Sequence, residues 1–140
     1  QLYFLSEIIT SKTTEYKMLL GLKEKSTFDN MWININRKKD FNIPHIHPNS
    51  SISGVFYVKV SENFGDIVFE NPFLENISYC WEQEILNYNN YTSCKWNVKP
   101  EENKLLLFPS FLRHYVKPNM SKDDRICMSF NLGVRWQVTK

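Results

Sequence analysis

The sequence has little of what marks a fibrous, disulfide-stapled or membrane-spanning chain. Four glycines and six prolines in 140 residues leave no collagen-like repeat and no long flexible tract. The three cysteines, Cys80, Cys94 and Cys127, include no CxxC pair. They make neither a disulfide framework nor a zinc ribbon, so a reducing, cytoplasmic setting is expected. No apolar run approaches the roughly 20 residues that span a bilayer, and the start lacks the basic, apolar and small-residue succession of a secretory signal. A soluble chain is the expectation. An excess of one charge is also missing: seventeen basic and fifteen acidic residues leave a net +2, which is no electrostatic footprint for nucleic acid or an anionic membrane. The run Arg37, Lys38, Lys39 is closed at once by Asp40 and reads as a solvated turn. Glycosylation-type triplets at Asn49, Asn76, Asn90 and Asn119 are what chance gives in an Asn-rich chain without a signal peptide. The chain opens on Gln1 rather than Met, as a portion of a longer protein would.

Aromatic residues, by contrast, are plentiful, with ten Phe, seven Tyr and four Trp. This length and composition suit one domain with one packed core, here residues 1–140, with 1–29 as helical support and 30–140 as a β-rich core. Tyr16, Leu19, Leu20 and Leu22 recur at near-helical spacing after a Ser/Thr-rich start, so an amphipathic helix is predicted over Ser11 to Lys25, covering one face of a sheet. From Asn30 onward the pattern is of short strands separated by turn residues. "MWININ" alternates, with Met31, Ile33 and Ile35 on one face and Trp32, Asn34 and Asn36 on the other. Further strands are predicted in the HIH segment and over Ser51 to Val60, Asp66 to Glu70, Cys94 to Val98, Lys104 to Phe108, Arg113 to Val116 and Arg125 to Val134. Roughly eight short strands imply two packed sheets, a sandwich or a closed double-sheet fold. The weakly periodic stretch from Asn71 to Ser93 reads as a long inserted loop and a candidate lid.

Chemistry concentrates in "NIPHIHPNSSISGVFYV", where His45 and His47 stand one residue apart. On an extended strand residues two apart share a side, so both rings would project together while Ile46 turns away. Imidazole suits Fe, Zn, Cu or Ni, and a third ligand must come from elsewhere. The remaining histidine, His114 in "LLLFPSFLRHYV", is the candidate. An isolated HxH is a weak signal, since strand histidines are commonly surface or hydrogen-bonded residues. A second feature adds weight. Eleven residues beyond His114, Arg125 opens a strand on which Arg125, Cys127, Ser129 and Asn131 share one face and Ile126, Met128 and Phe130 the other. A guanidinium held over solid apolar packing is a cation placed for a carboxylate.

Taken in order, "WININ", "PHIHPNSSISGVFYV", "GDIVFENP", "KLLLFPSFLRHYV" and "DRICMSFN" resemble the 2-oxoglutarate/Fe(II)-dependent oxygenases of phage and marine bacterial genomes, distant relatives of the prolyl hydroxylases. The resemblance spans about Met31 to Leu132. It implies a mainly β fold, a double-stranded β-helix or jelly roll with one or two N-terminal helices on its major sheet, and possible phage or viral origin. It also implies Fe(II), O2 and 2-oxoglutarate as cofactors and co-substrate. By that resemblance His45 matches the first iron ligand, His114 the distal histidine and Arg125 the clamp for the far carboxylate of 2-oxoglutarate. Ser129 matches a hydroxyl that assists the clamp, and Tyr57 is a candidate second hydrogen-bond partner for that carboxylate. Position 47 departs from the pattern, because the superfamily has Asp or Glu where this chain has His47. The preferred ligand set is His45, His47 and His114. Three neutral imidazoles should hold Fe(II) less tightly than two plus a carboxylate. The implied activity is oxidative decarboxylation of 2-oxoglutarate to succinate and carbon dioxide, coupled to hydroxylation of an unidentified substrate, a protein or prolyl side chain or a small molecule. A three-histidine cupin, either a dioxygenase needing no 2-oxoglutarate or a binding module, is the alternative, and Arg125 argues against it. A capsid- or lectin-type jelly roll with incidental histidines stands third.

Overall fold

The structure is a computed structural model, described here for residues 2–23 and 27–133. Helix α1, Leu2–Leu19, precedes strands β1 (Thr27–Asn36), β2 (Asn42–His45), β3 (Ile52–Lys59) and β4 (Ile67–Glu70). Helix α2 (Leu74–Trp81) follows, then β5 (Lys95–Val98), β6 (Leu105–Pro109), β7 (His114–Val116) and β8 (Arg125–Gly133).

The strands form two four-stranded sheets, β1-β8-β3-β6 and β2-β7-β4-β5, with every pairing antiparallel. Alternation decides which side chains meet. On β8, Phe130 and Leu132 face outward and pack with Ile9 of α1, while Cys127 faces inward and packs with Val55 and Tyr57. Between the sheets, Ile67 and Phe69 of β4 pack on Phe108 of β6. Chain order and space order differ widely, so β1 finds its partner about a hundred residues later in β8.

The predicted strands match the observed ones to within a residue or two, except at three places. β1 begins at Thr27, inside the segment expected to be helical support. The HIH strand stops at His45, leaving Ile46 and His47 in the irregular stretch ahead of the turn at Pro48 and Asn49. The end predicted at Val134 lies outside the described residues. Helix α1 starts about nine residues earlier than predicted, because "LYFLSEII" is too uniformly apolar to show a helical period. It ends where Gly21 takes φ +67. There Leu22 N–H donates to Lys17 O (2.9 Å) and Gly21 N–H to Met18 O (3.0 Å), a closure that favours glycine because a Cβ is strained in the left-handed region. The expected residues 24 and 25 of that helix lie outside the described residues. No helix among the described residues is long and apolar enough to cross a membrane.

The Asn71 to Ser93 stretch contains α2, a helix the sequence did not announce. Phe73 sits at its N-cap with no side-chain cap hydrogen bond, and Ile77 is its buried residue. The segment is instead tied at its base by Asn71, whose Oδ1 accepts from Phe73 N–H (2.9 Å) and whose Nδ2 donates to Ser93 O (3.0 Å).

Candidate metal and anion site

Two of the histidines lie on the β2-β7-β4-β5 sheet and the third just beyond the end of β2. His45 ends β2 and lies in register with His114, which opens β7. His47 stands two residues beyond, and its backbone N–H donates to Ser110 O at 2.9 Å. The rings converge, with centroids 4.4 Å apart for His45 and His114 and 5.1 Å for each pair that includes His47. One ligand nitrogen from each lies within 4.8 Å of the others.

Hydrogen bonding sets which nitrogen faces the cluster. His45 Nδ1 donates to Ile43 O (2.7 Å) and His114 Nδ1 to Leu112 O (2.9 Å). With Nδ1 protonated in a neutral ring, Nε2 keeps a lone pair. His47 Nε2 approaches His114 Nε2 to 3.3 Å. That is near the ~3 Å separating adjacent ligands held about 2.1 Å from one ion. Burial pushes the imidazolium of His114 down to about 4, with His45 and His47 also repelling its charge and the Leu112 carbonyl opposing the shift. Burial and the neighbouring His45 likewise hold His47 below its ordinary range. His47 and His114 are thereby biased toward the neutral ring that offers a lone pair, and a cluster of three imidazoles is a donor set that a borderline first-row cation such as Fe(II) takes.

Across the cavity, on the other sheet, lies Arg125, only 2 % exposed. Its Nη1 donates to Phe64 O (2.8 Å) and Gly65 O (3.2 Å), and its Nη2 to Asn36 Oδ1 (2.9 Å). Its Nε is buried without a hydrogen-bond partner, and none of the ion pairs among the described residues includes it. A buried guanidinium held by neutral acceptors is a charge awaiting an anion, because desolvation of an unpaired charge costs several kcal/mol. Burial accordingly lowers its pKa.

Histidines and arginine line one cavity, together with Tyr57, Cys127 and Ser129. Burial raises the Tyr57 phenol well above its ordinary value and raises the Cys127 thiol. Both stay protonated at neutral pH, so Tyr57 can donate. Ser129 Oγ accepts from Asn34 Nδ2 (2.8 Å), and Asn34 Oδ1 accepts from Trp32 Nε1 (3.2 Å). The inward face of β1 thus braces β8. The structure brings all six predicted site residues, His45, His47, His114, Arg125, Tyr57 and Ser129, to this cavity. Sequence reasoning put Asn36 on one face of its strand with Trp32 and Asn34 but missed its hold on Arg125. It missed the Phe64 and Gly65 carbonyls altogether, for which no side-chain signal exists.

A family model described as "Putative 2OG-Fe(II) oxygenase" matches residues 30–131. No curated protein matches the sequence. Among solved structures, an oxidoreductase of the 2OG-Fe(II) oxygenase family from Burkholderia pseudomallei superposes with a TM-score of 0.60 at 13% identity, over 78% of this chain and 45% of that one. A Pseudomonas putida prolyl-4-hydroxylase gives 0.52 at 14% identity, over 75% and 52%. HygX from Streptomyces hygroscopicus, with iron bound, gives 0.56 at 11%, over 80% and 60%. At such identities these likenesses establish the fold. The chain spans about half the length of the structures it matches.

Proposed function

The chain belongs to the 2OG-Fe(II) oxygenase family, and on that premise we propose that it is an Fe(II)- and 2-oxoglutarate-dependent oxygenase hydroxylating an unidentified substrate, with a protein side chain favoured. The observation that carries this reading is the pairing, across one cavity, of three imidazoles with a buried guanidinium that has no counter-ion among the described residues. In this reading the two sheets are the halves of a double-stranded β-helix, and residues 1–140 act as one oxygenase domain.

His45, His47 and His114 would hold the metal. Bound iron supplies the dioxygen chemistry that couples oxidative decarboxylation of 2-oxoglutarate to hydroxylation of a C–H bond. Arg125 would receive the far carboxylate of the co-substrate, its Nε and the second N–H of Nη2 being the donors left over, with Tyr57 and Ser129 as neighbouring hydrogen-bonding groups. The apolar wall formed by Val55, Ile67 and Phe108 keeps water scarce, which strengthens the Arg125 contact by lowering the local dielectric. The 2.7 and 2.9 Å bonds to Ile43 O and Leu112 O hold two imidazoles in one orientation before any ligand arrives.

A three-histidine cupin-type site is favoured by one observation, that no Asp or Glu among the described residues joins the histidine cluster. The two readings separate in one experiment: succinate release from 2-oxoglutarate after anaerobic Fe(II) loading and admission of oxygen. Succinate formed by the intact chain and lost in Arg125→Ala and His114→Ala is the expected result. Metal binding without 2-oxoglutarate binding would favour the cupin, and no metal binding would remove both.

A further inference from the structure

Arg125 opens β8 directly opposite Asn36, the last residue of β1. Residues opposite each other on an antiparallel pair share a face and interact, and a cation there is stabilised most by a carboxylate across from it. Aspartate has nearly the shape of asparagine and would give the buried guanidinium a counter-ion. Position 36 nevertheless carries the neutral amide. Arg125 donates and never accepts, so the bond of 2.9 Å fixes Asn36 Oδ1, rather than Nδ2, as the atom that faces it.

The pair is held at a fixed spacing by a third residue. The Asn36 carbonyl accepts from Asn119 Nδ2 at 2.9 Å, and Asn119 is fully buried. The same Nδ2 donates to Asp123 O (2.8 Å), while Asn119 Oδ1 accepts from Ser121 N–H (2.8 Å). Asn119 therefore ties the end of β1 to the loop that leads into β8. The other acceptors of Arg125, the Phe64 and Gly65 carbonyls, are neutral as well. No Asp or Glu is among the described residues that line the cavity. Every group that orients the guanidinium thus leaves its charge uncompensated. Orientation and neutralisation are separable, and only the first is supplied. A buried cation in this state discriminates between an anion and a neutral molecule of the same shape, because the anion alone offsets its desolvation.

We propose that Asn36 is the selectivity-determining residue of the anion site: by orienting Arg125 without neutralising it, Asn36 makes the cavity select a carboxylate over the corresponding amide. The identity of that carboxylate as 2-oxoglutarate rests on the oxygenase reading; the role of Asn36 does not.

The test is calorimetric titration of the Ni(II)-loaded chain with 2-oxoglutarate and with the amide of its far carboxylate, which keeps the chelating end and loses the far charge. The intact chain should prefer the acid about a hundredfold. Asn36→Asp should weaken 2-oxoglutarate by about the same factor and abolish the preference. Its ligand-free melting temperature should be unchanged or higher, since the substitution supplies Arg125 with a counter-ion. Asn36→Ala should weaken both ligands and keep the preference. A residue that only held the strands together would behave otherwise, because Asn36→Asp preserves an acceptor for Arg125 and would leave 2-oxoglutarate affinity intact. That result, loss of the preference in Asn36→Ala, or equal binding of acid and amide by the intact chain would overturn the proposal. A second measurement needs neither metal nor a variant. In NMR spectra of the metal-free intact chain, glutarate should move the Asn36 side-chain amide and Arg125 Nε–H signals saturably and glutaramide should not; signals indifferent to both would overturn the proposal. Succinate release is followed in parallel. Acid selectivity governed by Asn36 without succinate release sinks the oxygenase reading alone, and succinate release with unchanged affinity in Asn36→Asp sinks this proposal alone.

Discussion

Single residues carry the difference between a binding site and a packed core. Arg125 is a poor investment for stability alone, since its buried charge meets three neutral acceptors and no carboxylate. In Arg125→Met the charge disappears but those acceptors lose their donors, so the two effects offset to within about 1 kcal/mol of stability. Affinity for 2-oxoglutarate should instead fall about a hundredfold, the worth of one charge-assisted pair at ~2.7 kcal/mol. Calorimetric titration beside a thermal melt separates the two, and a large loss of stability with unchanged affinity would make Arg125 structural. His47 offers the complementary change. It already sits beside His114, and its backbone is fixed by Ser110, so His47→Asp puts a negative charge next to the cation without rebuilding the turn. Fe(II) should then bind roughly tenfold more tightly in chelator competition, about 1.4 kcal/mol. Unchanged affinity would show that position 47 does not touch the metal.

At the scale of elements, the clamp depends on a loop as much as on a strand. The turn from β3 to β4 delivers the Phe64 and Gly65 carbonyls to Arg125, and it can do so because Gly65 takes φ +77. A Cβ there would also run into the backbone carbonyl of Lys117. Gly65→Ala should therefore cost about 1–3 kcal/mol in urea denaturation and weaken 2-oxoglutarate binding at the same time. Loss of stability with full affinity would uncouple this loop from the clamp. Such a loop shows why the site was only partly legible in the sequence. Alternation on β1 and β8 places Asn34, Asn36, Arg125 and Ser129 inward, and that follows from a period of two. His45 and His114 could be paired because the chain has only three histidines to choose from. The carbonyls of residues 64 and 65 carry no side-chain signature, and the register joining Asn36 to Arg125 across 89 positions is set by tertiary pairing. Helix α2 was hidden for a related reason: its base is organised by Asn71 reaching to Ser93, a contact across the segment rather than a local cap.

Across the whole molecule, the proposed ligands divide the work between the two sheets. The histidines all belong to β2, β7 and the stretch just after β2, while Arg125 opens β8 of the facing sheet. β2 is an edge strand, held to β7 through Asn42 with Val116 and His45 with His114. A metal shared by His45, His47 and His114 would staple that short strand. A dicarboxylate extending from the metal to Arg125 would then tie one sheet to the other. The two ligands should therefore stabilise the fold cooperatively. Ni(II), which does not turn over, is the suitable metal. Each ligand at a hundred times its dissociation constant contributes about 2.7 kcal/mol, or roughly 8–10 °C in a domain of this size. With 2-oxoglutarate alone the shift should be small, because one carboxylate on Arg125 leaves the rest of the molecule unanchored. With Ni(II) present the same concentration should raise the melting temperature by more than the sum of the separate shifts, and amide exchange should slow at β2. Additive shifts would place the two ligands in independent sites, and the single cavity bridging both sheets would lose its functional meaning.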